Sequence, residues 1–237
     1  MGFQLTSNYE SGDPYLSNVS LLLQVENGSF VDKSRADRQI LTSGNPVVDT
    51  NITKFGSGSI SLDGSSYLSV PNNRFFDFDQ NDFTVECWVY NQGGGNRSLV
   101  AKNRANEQFF GAGSWSFQIT TTQQLYFSAT SDSSSGWGVS LESNGTVPLE
   151  TWSHVAATRS SSTIRIFING NLEASSTYSD PIEFNQNNLL VGSFYYHVPP
   201  TVNFFPGKFD SVRITNGVSR YNDSFTVTDF PFPLDQY

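Results

Sequence analysis

The sequence is poor in the residues that most often carry chemistry. Cysteine occurs once in 237 residues, as Cys87, and histidine twice, as His154 and His197. A single cysteine excludes an internal disulfide, so the chain is expected to be stable without oxidation, as suits assembly in a reducing cytoplasm. Two histidines and one cysteine leave too few ligands for a zinc centre. Charge is also scarce. Asp, Glu, Lys and Arg make up 15% of the chain, against about 25% in an average globular protein. The 13 basic residues are outnumbered by 22 acidic ones, for a formal net charge of −9. No run of Lys and Arg offsets that balance, so neither nucleic acid nor an anionic membrane surface is expected as a partner. No stretch of 18 apolar residues offers a membrane span. The N-terminal residues lack a basic region followed by an apolar one, so synthesis in the cytoplasm without a signal peptide is expected. Long helices are not expected either, because no segment carries apolar residues at helical spacing.

What is abundant is aromatic and turn-forming. The chain has 20 Phe, 10 Tyr and 4 Trp, enough apolar area to exclude a disordered tail. Short apolar runs alternate with turn residues. Val19–Val25 reads as a central strand. Ser59–Leu62 and Tyr67–Val70 flank the turn Asp63-Gly64, and a short strand is expected near Gln39–Leu41. Phe83–Tyr90 (FTVECWVY) is the strongest strand signal. Leu99–Lys102 follows, then Trp115–Thr120 paired with Gln124–Ala129. Residues 151–170 form a hairpin. Trp152, His154, Ala156 and Thr158 share one strand face, Ile164, Ile166 and Ile168 another, and Asn169-Gly170 supplies the next turn. Leu172–Ser175, Asn188–Gly192 and Lys208–Thr215 complete the set, and Val218–Tyr221 is read as one helical turn. A dozen short strands spaced by turn signals predict an all-β, antiparallel two-sheet sandwich of the jelly-roll type. The expected organisation is an extended N-terminal arm over residues 1–17 and a single domain over residues 18–237.

The order of these motifs resembles a known family. KFGSGSISLDGSSYLSVP, DFTVECWV, TWSHVAATRSSSTIRIFINGNLEAS, NLLVG and FPGKFDSVRITNGVSRY, taken in sequence, are similar to the laminin-G-like, concanavalin A-like lectin jelly rolls over roughly residues 18–234. The ending, FDSVRIT followed by NGVSRYNDSFTV and a Pro/Phe stretch, resembles the subgroup found in tailed-bacteriophage tail fibres, decoration proteins and other virion surface proteins. The resemblance implies a non-enzymatic role in host glycan attachment or in capsid or tail decoration. It also implies loops on a concave face, a virion-surface location and, in some members, a structural calcium ion. Other virion proteins, or further copies of the chain, would meet the N-terminal arm. A carbohydrate-binding module of bacterial origin is the alternative, and a glycoside hydrolase of the same fold a third reading.

Candidate sites are few. Glucanases on such a scaffold place two carboxylates at alternate positions of one strand, roughly 5 Å apart for a retaining mechanism. The strand Phe83–Tyr90 has Glu86 but Trp88 two residues on, so no catalytic pair is expected and Glu86 is read as structural or solvent-facing. His154 is read as a hydrogen-bonded sheet histidine, and Cys87 as a small buried side chain. Trp88, Trp115 and Trp152 lie in strands and read as core. For a glycan, aromatic rings in loops are the useful signal, because they stack on sugar C–H faces. Trp137 among Ser and Gly, Tyr195, Tyr196 and His197 in the long loop, and Asn203 as a polar partner are the ligand-binding candidates. Tyr196 and Phe204 could instead pin that loop to the sandwich. Asp32, Asp63 and Asp210 are the candidates for a structural calcium. The other reading of Asp63 is a cap on its Asp-Gly turn, and of Asp210 an acceptor for backbone amides. The six N-x-S/T sequons follow from an Asn-, Ser- and Thr-rich composition, and no glycosylation is assigned.

Overall fold

The computed structural model describes residues 12–103, 114–132, 136–195 and 201–234. Among these, eighteen strands follow one another: β1 (Val19–Glu26), β2 (Ser29–Asp32), β3 (Leu41–Ser43), β4 (Val47–Asp49), β5 (Ser59–Asp63), β6 (Tyr67–Val70), β7 (Phe83–Asn91), β8 (Arg97–Asn103), β9 (Ser114–Ile119), β10 (Gln124–Ala129), β11 (Val139–Thr146), β12 (Trp152–Ser160), β13 (Thr163–Ile168), β14 (Asn171–Thr177), β15 (Leu189–Val191), β16 (Phe194–Tyr195), β17 (Thr201–Val202) and β18 (Pro206–Asn216). One sheet runs β14-β13-β12-β7-β18-β1-β2, with β5 also on β18 and β4 on β5. The other runs β11-β10-β9-β8-β15-β6-β3, and β16 pairs with β17 in a small hairpin. Every named pairing is antiparallel, and the expected two-sheet sandwich is present. No described helix is long and apolar enough to cross a membrane.

Alternation along the strands sends every second side chain between the sheets. Phe83, Val85, Cys87 and Val89 of β7 meet Phe117, Ile119, Leu125 and Phe127 of β9 and β10 in one continuous core. Phe78 stacks on Phe83 with ring centroids 4.1 Å apart and on Trp115 at 5.0 Å. The indole of Trp115 donates to the carbonyl of Phe76 at 3.0 Å, which satisfies its one polar atom.

The nine-stranded sheet is covered on its other side as well. Leu16, Val19, Leu22, Trp88 and Phe232 form a second buried cluster there, with Phe55, Trp152 and Val227 packed against it. The covering chain comes from both ends of the described residues. Asp13 and Leu16 are buried, and a 3-10 turn at Leu16–Asn18 leads into β1. Of the arm expected over residues 1–17, positions 1–11 lie outside the described residues.

Two local expectations change. Val139–Thr146 is a strand that alternates buried and exposed, with Val139 and Leu141 facing the core, although the sequence reading passed over it. Val218–Tyr221 is not a helical turn. Gly217 turns the chain with φ +87°, and side chains of the sheet take up the backbone groups that a helix would have paired. Thr84 donates to the carbonyl of Val218 and accepts from the amide of Arg220, and Thr158 donates to the carbonyl of Tyr221. The segment therefore lies flat on the sheet as a strap, and the Phe225 N–H closes it by donating a hydrogen bond to the carbonyl of Gly170 at 2.9 Å.

That closure makes Gly170 diagnostic. Its φ is +79°, and a Cβ placed there would lie 2.0 Å from the carbonyl oxygen of Phe225. Gly28 has a similar φ of +74° with nothing within 4 Å. Gly28→Ala should lower unfolding stability by about 1 kcal/mol, the cost of a strained dihedral alone. Gly170→Ala should lower it by about 3 kcal/mol, because overpacking adds to the strain. Urea unfolding compares the two, and faster limited proteolysis within residues 218–234 of the Gly170 variant checks that the strap is what loosens.

Candidate functional site

Glu86 belongs to the face of β7 that looks toward the strap, between Thr84 and Trp88. It is fully buried. Its Oε1 accepts from Nε of Arg213 at 2.8 Å, and its Oε2 accepts from the Tyr221 hydroxyl at 2.8 Å and lies 3.0 Å from Nε2 of His154. Arg213 reaches Asp13 Oδ2 with Nη1 at 3.2 Å and stacks its guanidinium 3.8 Å over the ring of Phe232. Arg220 grips both oxygens of Asp13, at 3.0 and 2.8 Å, and donates through Nε to Thr215. Tyr221 and Phe225 stack at 3.6 Å, and their rings stand near Phe167 and His154. Two carboxylates and two guanidinium groups are thus charge-balanced beneath the strap.

The electrostatics define what this cluster can do. Burial pushes the Glu86 carboxyl up, but Arg213, His154 and Arg220 outweigh it and hold the group well below the ordinary carboxylate range. Burial alone would lower Arg213, and Glu86 with Tyr221 and Asp13 raises it above the usual arginine value. Tyr221 is pushed up, first by burial and then by the neighbouring Glu86 charge. A general acid needs a carboxyl that keeps its proton near neutrality, and Glu86 is the reverse. Beside these groups a pocket of ≈ 250 Å³ opens between strap and sheet, lined by Trp88, His154, Arg213, Phe225 and Phe232 among others. Of the three tryptophans read as core, Trp115 is in the main core, Trp88 lies beneath the strap, and Trp152 is partly buried against Trp88 and its neighbours.

The glycan candidates map to the other sheet. On the face of that sheet turned away from the core, β9 and β10 carry Ser116, Gln118 and Ser128, all buried and joined by side-chain hydrogen bonds of 2.6 and 3.3 Å. Toward β11, Tyr126 donates to Ser140 at 2.7 Å. Trp137 is partly exposed, with its ring 6.4 Å from that of Phe194, so the fold brings it next to the strand holding Tyr195. Tyr196 and His197 lie outside the described residues, and for Tyr195 only the backbone is described. Asn203 has φ +53° and its carbonyl accepts from the amide of Ser98 at 2.7 Å. Phe204 packs against Tyr67 at 6.2 Å.

The three candidate calcium ligands are separate. Asp32 accepts from the amides of Leu22, Ser34 and Arg38 and from the Ser34 hydroxyl. Asp63 accepts from the amide and hydroxyl of Ser65, and these contacts with Ser66 hold it at a pKa of about 2. Asp210 accepts from the amides of Lys54 and Phe55 and from the Ser211 hydroxyl. No group of three or more His, Cys, Asp or Glu gathers at metal-binding distance among the described residues.

A feature the sequence reading missed lies where the start of β1, the loop after β2, the turn before β7 and the end of β18 meet. A pocket of ≈ 570 Å³ is lined there by residues that include Asn18, Arg35, Arg38, Arg74, Phe75 and Asn216. Arg38 crosses it, donating to the carbonyl of Ser20 and lying 5.2 Å over the ring of Phe76. Phe75 is 48% exposed, with the Arg74 guanidinium 5.4 Å from its centroid. The acid in its wall, Asp77, is paired with buried Lys102 at 3.1 Å. The signals were the spacing of Arg35 and Arg38 and the pair Arg74-Phe75, scattered over two loops.

Glu86→Gln should destabilise the protein by about 3–5 kcal/mol, because it leaves buried Arg213 without its counter-charge. A depressed carboxyl contributes stability above its unfolded pKa near 4 and loses it as pH falls through the folded value. Glu86 and Asp63 both lie low, as does Asp49, which its bond to Lys208 and the amides of Asn51 and Ile52 hold at about 2. Urea midpoints should therefore decline from pH 4 downward, and the decline should be shallower in Glu86→Gln.

The sequence matches the family model described as the concanavalin A-like lectin/glucanases superfamily over residues 62–220. A search of the curated proteins finds no match. Among solved structures, the binding domain of Paraclostridial Mosquitocidal Protein 1 superposes with a TM-score of 0.66 at 16% identity, covering 86% of this chain and 50% of that one. The binding domain of botulinum neurotoxin serotype C1 gives 0.62 at 16% identity, with 86% and 50% covered. A botulinum neurotoxin type C structure, whose cell entry is described as dependent on two ganglioside molecules, gives 0.61 at 15%, with 86% and 49% covered. At these identities the likeness is one of fold, and this chain spans about half the length of those proteins. Its strand order, its two-sheet core and the family match over most of its length show that the chain belongs to the concanavalin A-like lectin/glucanase superfamily.

Proposed function

We propose that the chain is a non-catalytic, lectin-like binding module carried on the surface of a phage particle, where it attaches to host glycan or decorates the capsid or tail. The observation that carries the non-catalytic reading is the state of Glu86. The acid on the strand where a glucanase of this fold needs its pair is buried, ionised and bonded on both oxygens. The nearby carboxylate of Asp13 is held by both guanidinium groups. Glu86, held ionised by its cationic neighbours, has no proton to give a leaving sugar. The family supports glycan as ligand, and the solved relatives by fold are themselves binding domains. The proposed contact residues are Trp137 with Tyr195, Tyr196, His197 and Asn203; of these, Trp137 lies beside the strand that holds Tyr195. The particle assignment rests on the resemblance of residues 209–234 to virion proteins, and the N-terminal arm is proposed as the docking element. A second reading, a carbohydrate-binding module of a larger bacterial protein, is favoured by the toxin binding domains that share the fold.

A glycan array of bacterial surface polysaccharides tests the first reading. The wild-type chain should give discrete hits, and Trp137→Ala should reduce them by about tenfold or more, since an aromatic anchor is worth upward of 1 kcal/mol, with an unchanged melting temperature. Release of reducing sugar by the wild type, lost in Glu86→Gln, would overturn the non-catalytic assignment.

A further inference from the structure

We infer that the oxygen cage around Nζ of Lys102 is a structural cation site, in which the chain's own ammonium sits where a calcium ion would otherwise bind. The ammonium thereby joins β8 to the loop after β6 and the loop before β15.

Lys102 lies near the end of β8 and is fully buried. Five oxygens from the two loops surround its Nζ. The loop after β6 supplies Asn72 Oδ1 at 2.9 Å and Asp77 Oδ1 at 3.1 Å. The loop before β15 supplies the carbonyls of Asn185 at 2.8 Å and Asn187 at 3.3 Å, and Asn185 Oδ1 at 3.4 Å. The side chain of Asn185 is held in place from both ends. Its Nδ2 donates to the carbonyl of Lys102 at 2.9 Å, and its Oδ1 also accepts from the amide of Asn187 at 2.9 Å.

The number of donors decides what the cage suits. An ammonium has three N–H groups, each pointing one way, and five acceptors stand around it. Asp77 Oδ1 is buried and receives no hydrogen bond, so its contact with Nζ is one of charge alone. A spherical cation has no such limit and would be met by all five at once. One carboxylate, two side-chain amides and two backbone carbonyls are hard oxygen donors, the kind that calcium takes in sets of six to eight. The acids expected from the sequence differ. Asp32, Asp63 and Asp210 face N–H groups, which a cation would repel. At 2.8–3.4 Å the cage is sized for an ammonium. With the lysine removed, calcium would draw the two loops in by about half an ångström to reach its usual bond length.

Melting temperatures of the wild type, Lys102→Ala and Lys102→Met in CaCl2, MgCl2 and NaCl of equal ionic strength test this. The wild type should melt at the same temperature in all three salts. Lys102→Ala should melt lower, because Asp77 loses its counter-charge. Calcium should restore much of that loss, with a half-effect on the order of 1 mM, as suits a site with one carboxylate. Magnesium should restore far less, since it demands a tight octahedron. Lys102→Met fills the cage with an uncharged stem, so it should melt lower and gain nothing from calcium. Adding Asp77→Asn to Lys102→Ala should weaken the calcium response by about tenfold. Calcium that raises the wild type or Lys102→Met as much as Lys102→Ala acts elsewhere and would overturn the inference. A Lys102→Met chain as stable as the wild type would overturn it too, because the ammonium would then be dispensable. If Lys102→Ala does not fold in NaCl, refolding decides. Folded protein recovered in CaCl2 and not in MgCl2 supports the site, and equal recovery in both, or none in either, overturns it.

Discussion

The buried ion pair between Glu86 and Arg213 is the contact on which the outer half of the molecule depends. A lone charge in that position would cost several kcal/mol. Each charge is tolerable only because the other is there and because Tyr221, His154 and Asp13 complete the bonding. Two of those partners come from segments outside the sheet, the strap and the residues before β1. The pair therefore obliges both segments to cover the sheet, and their apolar residues, Leu16, Val227 and Phe232, bury Trp88 and Leu22 once they are in place. The sandwich core accounts for the fold, and this second layer accounts for why both faces of one sheet are dry.

The same pair separates scaffold from chemistry. In a sugar-cleaving member of this fold, a carboxyl on the central strand must exchange protons with substrate. Here the strand position is kept and its environment is reversed. Cations in contact hold the acid ionised, and a terminal segment closes over it. The arginine-lined pocket lies apart from it, at the start of β1 and the end of β18.

Much of the fold was legible because period-two alternation and turn dipeptides are local signals. The β12–β13 hairpin and the strand β7 fall where the sequence placed them. The alternation of Val139-Ser140-Leu141-Glu142 was equally present but sits between Ser- and Gly-rich turns that masked it. Val218–Tyr221 misled because its backbone partners, Thr84 and Thr158, are far away in sequence. The sites were harder. Glu86 could be excluded as half of a pair from its spacing alone, but its burial depends on Asp13 and Tyr221, 200 and 135 positions from the residues they contact. The arginine pocket was invisible for a related reason: no segment is basic, and only the meeting of two loops makes the charges adjacent.

The order of the nine-stranded sheet also bears on how the chain comes to be folded. β18 lies between β1 and β7, joining the earliest strand of the sheet to its middle, and β5 docks on it as well. Until β18 is made, a nascent chain holds β7 with one edge unpaired and β1 with only β2 for company. Sequence-distant closure of this kind is slow, and open apolar edges are where chains stick to one another. Synthesis of this protein is thus a race between the ribosome and self-association, and the scarcity of Lys and Arg leaves a net negative charge that keeps unfinished chains apart.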